Sequence, residues 1–223
     1  MIIAIDGPAG SGKSSTAKEV AKRTGALYID TGAMYRAVAL SSINSGISVP
    51  DAEFSAHLDS LSIKLGYNDG ELTVWLNGED VSSQIRSSEV SDLSSVVGSD
   101  SRVRDKMVEL QRKMAGDELA RNGTVVMEGR DIGSVVFPFA DFKFFLVADP
   151  AVRTERRALQ LEEKGVDVDR DALLSEILAR DERDETRSNS PLIQAEDALA
   201  MDTSELSFEE QVENILEVIR GNG

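Results

Sequence analysis

The chain opens on Gly7-Pro8-Ala9-Gly10-Ser11-Gly12-Lys13-Ser14, a run that fits G-x-x-x-x-G-K-[ST]. Its flanks restrict the fold more than its letters do. Before it, Met1-Ile2-Ile3-Ala4-Ile5 is almost wholly apolar, the composition of a strand buried on both faces of a parallel sheet. After it, Ser15 to Arg23 reads as a helix that ends near Gly25. Strand, glycine loop and helix in that order aim backbone N–H groups and a helix N-terminus at one point, which is how a chain holds a phosphate. Gly7, Gly10 and Gly12 permit the close backbone approach that a Cβ would block. Lys13 brings positive charge to the β- and γ-phosphates, and the Ser14 hydroxyl is the expected ligand of Mg²⁺.

The 223 residues suit one domain, or one domain with inserted lobes. There are no cysteines, so disulfides and thiolate metal sites are excluded, and the lone His57 makes no histidine metal site by itself. It reads as an ordinary surface or boundary residue. No apolar run approaches a membrane span, and the N-terminus leads straight into a strand, so a soluble, cytoplasmic protein is expected. The net charge of −16 and the lack of a lysine-rich tract argue against a nucleic-acid partner. Arginines, by contrast, recur in clusters against this acidic background. Local positive charge without global attraction to nucleic acid is what small polyphosphate ligands need.

Along the chain, Asp30 to about Asn44 reads as a helix, and Asp51 to Leu61 as a shorter one. From Leu61 to Val81 the hydrophobic period changes to two. Ile63, Leu65 and Tyr67 alternate, Asn68-Asp69-Gly70 forms a turn, and Leu72, Val74 and Leu76 alternate again before Asn77-Gly78. This predicts a hairpin, with a third strand near Asp80-Val81, inserted as a lobe into an α/β chain. Helical pattern returns over 88–97 and 102–121. Buried strands are expected at 124–128, 143–148 and 198–202, and helices over Ala151 to about Lys164, about 171–187 and 208–220. Strands interspersed with helices predict a parallel, doubly wound sheet.

Several clusters sit at strand ends or on helix faces. Asp30-Thr31-Gly32 with Tyr35-Arg36 puts Thr31 at a helix start, able to cap it or to bind an anion, with Arg36 about one turn later; a plain capped helix fits equally. Glu128-Gly129-Arg130-Asp131 follows a buried strand directly, where open α/β sheets bind ligands. Arg102 and Arg104 open a helix, an end that disfavours cations unless an anion is present. Arg153, Arg156 and Arg157 have the i, i+3, i+4 spacing of one face, although neighbouring Glu155, Glu162 and Glu163 also fit a salt-bridged surface helix. Arg180, Arg183, Asp184 and Arg187 share a helical face in the same way.

Together these residues resemble the bacterial cytidylate kinase family. The resemblance is carried by the glycine loop, Asp30 to Arg36, Arg102-Val103-Arg104, Glu128-Gly129-Arg130-Asp131-Ile132-Gly133 with Val135-Val136-Phe137-Pro138, and the Arg180 to Arg187 helix. It runs in order over nearly the whole chain, and the segment from Gly129 to Pro138 is its most specific part. It implies a single kinase domain over 1–223: a parallel doubly wound P-loop sheet, a monophosphate-binding region at about 30–100 that includes a hairpin lobe at about 61–97, and a helical lid at about 153–170. It implies ATP phosphates on Gly7, Pro8, Ala9, Gly10, Ser11, Gly12, Lys13, Ser14 and Ser15. The CMP phosphate would lie on Thr31, Arg36 and Arg130, with Arg104 where phosphate meets cytosine. Ser95 and Asp131 would read the base, and Arg180 and Asp184 the ribose. Arg187 would lie near the transferring phosphate, with lid arginines Arg153, Arg156 and Arg157 nearby. Thr31 and Glu128 stand where serine and aspartate are common in the family, and both keep the functional group.

The implied reaction is ATP with CMP or dCMP to ADP with CDP or dCDP, with Mg²⁺, in a cytoplasmic monomer. Lys13, Arg130, Arg153, Arg157 and Arg187 would supply charge stabilisation to a transfer that needs positioning more than covalent chemistry. Other readings are a kinase for uridylate, adenylate or a non-nucleotide, a GTPase-type switch, and a non-catalytic ATP-binding subunit. The switch lacks support: there is no N-K-x-D, and no Asp has Gly three residues later.

Overall fold

The computed structural model describes residues 1–68, 71–163 and 165–221, with the side chains of Asn68 and Glu71 also left aside. In chain order the elements are β1 (Ile2–Asp6), α1 (Lys13–Thr24), β2 (Leu27–Asp30), α2 (Thr31–Ser45), α3 (Phe54–Ser60), β3 (Ile63–Asn68), β4 (Glu71–Leu76), β5 (Glu79–Asp80), α4 (Ser88–Val97), α5 (Ser101–Leu119), β6 (Val125–Gly129), β7 (Phe142–Val147), α6 (Pro150–Glu162), α7 (Arg170–Thr186), β8 (Leu199–Asp202) and α8 (Phe208–Gly221). A 3-10 turn spans Gln84–Arg86 and a π-helical turn Ile132–Val136. The chain divides into two compact units, one of residues 1–28 and 114–223 and the other of residues 29–113.

The first unit is built on a five-stranded sheet of order β2-β6-β1-β7-β8. β1 pairs parallel with β6 from Ile2↔Val125 to Asp6↔Gly129 and with β7 from Ile3↔Phe142 to Asp6↔Phe145; β7 pairs parallel with β8. The central strands are buried on both faces, which is why they are continuous apolar runs rather than alternating ones. Ile3, Ile5, Val126, Phe144 and Leu146 pack with Ala17 and Val20 of α1 and Val212, Ile215 and Leu216 of α8. Each buried Ile, Val, Leu or Phe among them contributes about 1.5–3 kcal/mol. Because β1 lies between β6 and β7, the strand order switches direction at β1. The carboxyl edge beside such a switch is where sheets of this type leave a crevice. A smaller core joins Ala158 of α6 to Leu173 and Ile177 of α7.

In the second unit α2 packs on α4, and on the 3-10 turn and the antiparallel β3-β4-β5 sheet. β3 and β4 pair from Ile63↔Leu76 to Asn68↔Glu71. The period-2 alternation turns Ile63, Val74 and Leu76 inward and leaves Lys64 and Trp75 outward. The inserted antiparallel lobe is therefore present, with β5 as its third strand. The turn expected at Asp69-Gly70 lies outside the described residues, as does Lys164, the expected end of the helix from Ala151.

Sequence periodicity passed over β2, which at four residues is too short to show alternation. It also passed over the π-helical turn. Val135 and Val136 both donate to the Asp131 carbonyl, at 2.9 and 3.1 Å, and Phe137 donates to Ile132 at 2.7 Å. Elsewhere the expected elements are found with ends displaced by a residue or two, except that the helix expected from Asp51 begins three residues later, at Phe54.

Candidate active site

The glycine loop of the first unit joins β1 to α1, and its conformation excludes side chains. Gly7 has φ 151°, and a Cβ there would run into the Leu146 carbonyl oxygen. Gly12 caps α1 in the left-handed region, at φ 88°. It provides no side-chain cap, and the first turn of α1 carries no acid. By contrast α2, α4, α6 and α7 are each capped by a side chain: Asp30, Ser87, Asp149 and Asp169. The helix that would face phosphate thus leaves its first amides without a side-chain acceptor from its N-cap, unlike those four. The Ser11 hydroxyl is fully buried in the loop and has no hydrogen-bond partner among the described residues.

Side chains distant in sequence hold this loop. Arg153 donates to Ala9 O and to Ala148 O, both at 3.0 Å, and pairs with Asp181 at 2.5 Å. Thr203 Oγ1 lies 3.1 Å from Ser11 O, and Arg156 donates to Thr203 Oγ1 at 3.1 Å and Thr203 O at 2.5 Å. Gln211 accepts from Thr16 Oγ1 at 3.2 Å. These contacts correct the expectation of a shared arginine face on α6. Arg153 is buried, Arg156 is half-buried against Thr203, and Arg157 is exposed. The i, i+3, i+4 spacing describes one side of a cylinder, but burial divides that side.

Lys13 is 6% exposed and donates to Pro8 O at 2.9 Å. Burial pushes its pKa down to about 7. Arg130 and Arg180 push the same way, against Glu128 and Asp184. Glu128 is buried at the end of β6 and accepts from Tyr28 OH at 2.7 Å. Asp184 accepts from Arg130 Nε at 2.9 Å and lies 3.8 Å from Arg187 Nη1. Burial pushes Asp184 upward, but Arg130, Arg180 and Arg187 outweigh it and hold its carboxyl below the ordinary range. Arg187 also donates to Ser190 O at 2.7 Å. Of the cluster expected on α7, Arg180, Asp184 and Arg187 turn inward. Arg183 does not: it is exposed and bonds back to Ala179 O at 3.2 Å. Arg187 itself lies just past the helix, as its C-cap.

The second unit carries its own set. Thr31 is buried as the first residue of α2, but the cap is Asp30, which accepts from Ala33 N at 3.0 Å. Arg36 is half-buried and makes no hydrogen bond or ion pair with a described residue. Arg104 is buried over the Tyr35 ring at 5.6 Å and donates to Gly98 O at 3.2 Å. Ser95 is half-buried on α4. Arg102 has a different use from the expected anion: it pairs with Asp100 at 2.8 Å, donates to Ser55 and Val49 O, and lies over Phe54 at 5.0 Å. Asp100 neutralises the charge for which an anion is expected at this helix start.

No described cluster of His, Cys, Asp and Glu could hold a resident metal. The exposed Ser14 hydroxyl and the buried Glu128 carboxylate are hard oxygen donors. They suit a hard divalent cation that arrives on phosphate oxygens. The sequence pattern assigns no role to Asp6, Asp181, Thr203 or Gln211. Asp6 left a signal, as a charge ending an apolar strand. The other three left none, because their partners are remote in sequence.

The family model for cytidylate kinase matches residues 3–221. A cytidylate kinase of Syntrophotalea carbinolica is 46% identical over 98% of this chain and 92% of its own length. One of Pelotomaculum thermopropionicum is 47% identical over 96% and 93%, and one of Caldicellulosiruptor bescii 46% over 97% and 94%. Among solved structures, a protein of Eubacterium ventriosum superposes with a TM-score of 0.53 at 14% identity, covering 99% of this chain and 98% of that one. One of Thermus thermophilus gives 0.50 at 16% identity, covering 100% and 97%. These two bear on the fold alone.

Proposed function

This chain belongs to the cytidylate kinase family, and from that membership we propose that it transfers the γ-phosphoryl group of ATP to CMP and dCMP, giving ADP with CDP and dCDP. Family membership carries the identity of the acceptor. The geometry that accords with it is a glycine loop with unacidified helix amides, beside arginines held by a buried carboxylate. An oxygen of the acceptor's phosphate attacks the γ-phosphorus while the bond to the β–γ bridging oxygen breaks, and the charge leaves on ADP. Little covalent chemistry falls to the protein; it must place two anions in line and spread the charge of the moving group.

Gly7 to Ser15 would cradle the ATP phosphates, with Lys13 on the β- and γ-oxygens. Bound phosphate would favour the charged form of Lys13, which burial disfavours. A divalent ion, read as Mg²⁺, would be held by Ser14 with the phosphates and would neutralise developing charge. Arg130 and Arg187 enter the reading already oriented by Asp184. A guanidinium held this way loses less freedom when it meets a phosphate. Arg180 and Asp184 would contact the ribose. Arg153 is read as acting through the loop carbonyl of Ala9, and Arg157 as the exposed lid arginine. Thr31, Arg36 and Arg130 are read as taking the acceptor phosphate, Arg104 the phosphate–base junction and Ser95 the base, and Asp131 as accepting from the cytosine N4 amino group. On this reading about 30–100 would be the monophosphate-binding region and about 153–170 the lid. The reading is of a cytoplasmic monomer without nucleic-acid or membrane partners. Among the described residues no helix is long and apolar enough to cross a membrane.

A coupled ADP-release assay across CMP, dCMP, UMP and AMP tests the proposal. CMP and dCMP should be turned over with the highest kcat/KM; clear preference for UMP or AMP overturns it.

A further inference from the structure

Asp6 ends β1 and immediately precedes Gly7 of the glycine loop. It is 5% exposed, yet no step of the proposed transfer uses it. Its carboxylate spends both oxygens on the segment after β6. Ile132 N donates to Oδ1 at 2.9 Å and Gly133 N to Oδ2 at 2.7 Å. These are the first two residues of the π-helical turn, which closes on the Asp131 carbonyl. The parallel ladder between β1 and β6 ends at Asp6↔Gly129. Where the ladder stops, the Asp6 side chain continues the connection, past Arg130 and Asp131, to the next two amides. Gly133 makes room: a Cβ there would lie 3.1 and 3.3 Å from carbons of Lys143 and 3.4 Å from Asp6 Oδ2.

We infer that Asp6 is a positioning residue for the nucleotide acceptor, fixing the backbone from which Arg130 and Asp131 project. This rests on the reading that Arg130 and Asp131 contact the monophosphate. A carboxylate suits the task because it accepts on both oxygens. Two successive amides held by two oxygens leave the turn little freedom to rotate. An asparagine presents one acceptor and one amino group, so one buried N–H would face another donor. Asp6 adjoins two different machineries, and the two can be told apart. Its chain neighbour is the ATP loop, whereas its side-chain partners belong to the acceptor turn.

The test is steady-state kinetics of Asp6→Asn with CMP, UMP and ATP varied in turn, beside Asp131→Ala. The KM for CMP should rise about tenfold and the preference for CMP over UMP should fall, while the KM for ATP stays within about twofold. A matching rise in the KM for ATP overturns the inference, because the residue would then support the glycine loop. So do unaltered constants for all three substrates. If Asp131→Ala leaves the CMP preference intact, the reading of the acceptor site is at fault. If Asp131→Ala lowers that preference and Asp6→Asn does not, only the role of Asp6 is lost. Should Asp6→Asn not fold, amide exchange of the unaltered enzyme decides. Ile132 and Gly133 should exchange as slowly as the interior of β6, and exchange as fast as the 188–190 loop overturns the inference.

Discussion

Arg130 donates from Nε to Oδ2 of Asp184 at 2.9 Å, with both side chains largely buried. The same carboxylate lies 3.8 Å from Arg187. One acid thus orients two of the arginines assigned to phosphate. Asp184→Ala should lower kcat/KM for CMP by about two orders of magnitude, and should destabilise the fold by about 3–5 kcal/mol because it strands buried guanidinium charge. Steady-state kinetics and urea denaturation check the two parts. The folded pKa of Asp184 lies below its unfolded value. Its stabilisation is therefore present above the unfolded pKa and is lost as pH falls through the folded one.

Lys13 predicts a proton taken up on binding. In the free enzyme its pKa is lowered from 10.5 to about 7, first by burial. Between those values the unfolded chain binds more protons than the fold, so this group's contribution to stability rises with pH across that window. Bound ATP phosphates should reverse the shift, because adjacent negative charge favours the ammonium form. Titration calorimetry at pH 8, in buffers of different ionisation enthalpy, should report uptake approaching about one proton per ATP bound. Lys13→Arg, which remains charged, should show none of it.

The unequal arginines of α6 give a paired prediction. Arg153→Ala removes the contact to Ala9 O and leaves Asp181 buried without its cation, so it should raise the KM for ATP about tenfold and lower stability by about 3 kcal/mol. Arg157→Ala, at an exposed position, should leave the thermal midpoint unchanged. Equal losses of stability in both would contradict the burial pattern.

Base choice is placed on Asp131. Asp131→Ala should lose about tenfold or more in kcat/KM for CMP and less for UMP, since only cytosine offers an amino donor to the carboxylate. Equal losses for the two acceptors would remove Asp131 from that role.

Much of the fold is legible in the amino-acid sequence. The apolar runs of β1, β6 and β7 could hardly be anything but buried strands, and period two in the Ile63 to Leu76 segment produces the hairpin. β2 is not legible, because four residues carry too little pattern. Nor is the π-helical turn, whose first two amides donate to Asp6, a residue more than 120 positions away. Arg102 misleads because a cation at a helix start looks the same whether an anion or Asp100 satisfies it.

By itself the sequence determined what depends on neighbours along the chain. That includes the glycine loop, the absence of an acid in the first turn of α1, and the residue types gathered at Glu128 to Asp131 and Arg180 to Arg187. Tertiary structure alone decided what each charge does. Arg153 and Arg157 have equivalent spacing in the sequence, yet one is buried against Ala9 and Asp181 and the other faces solvent. Asp6, Thr203 and Gln211 acquire their roles from partners 126 to 195 positions away. The physical reason is that a helix or strand repeats over a few residues, whereas burial and pairing of a charge depend on whatever remote segment the fold lays beside it.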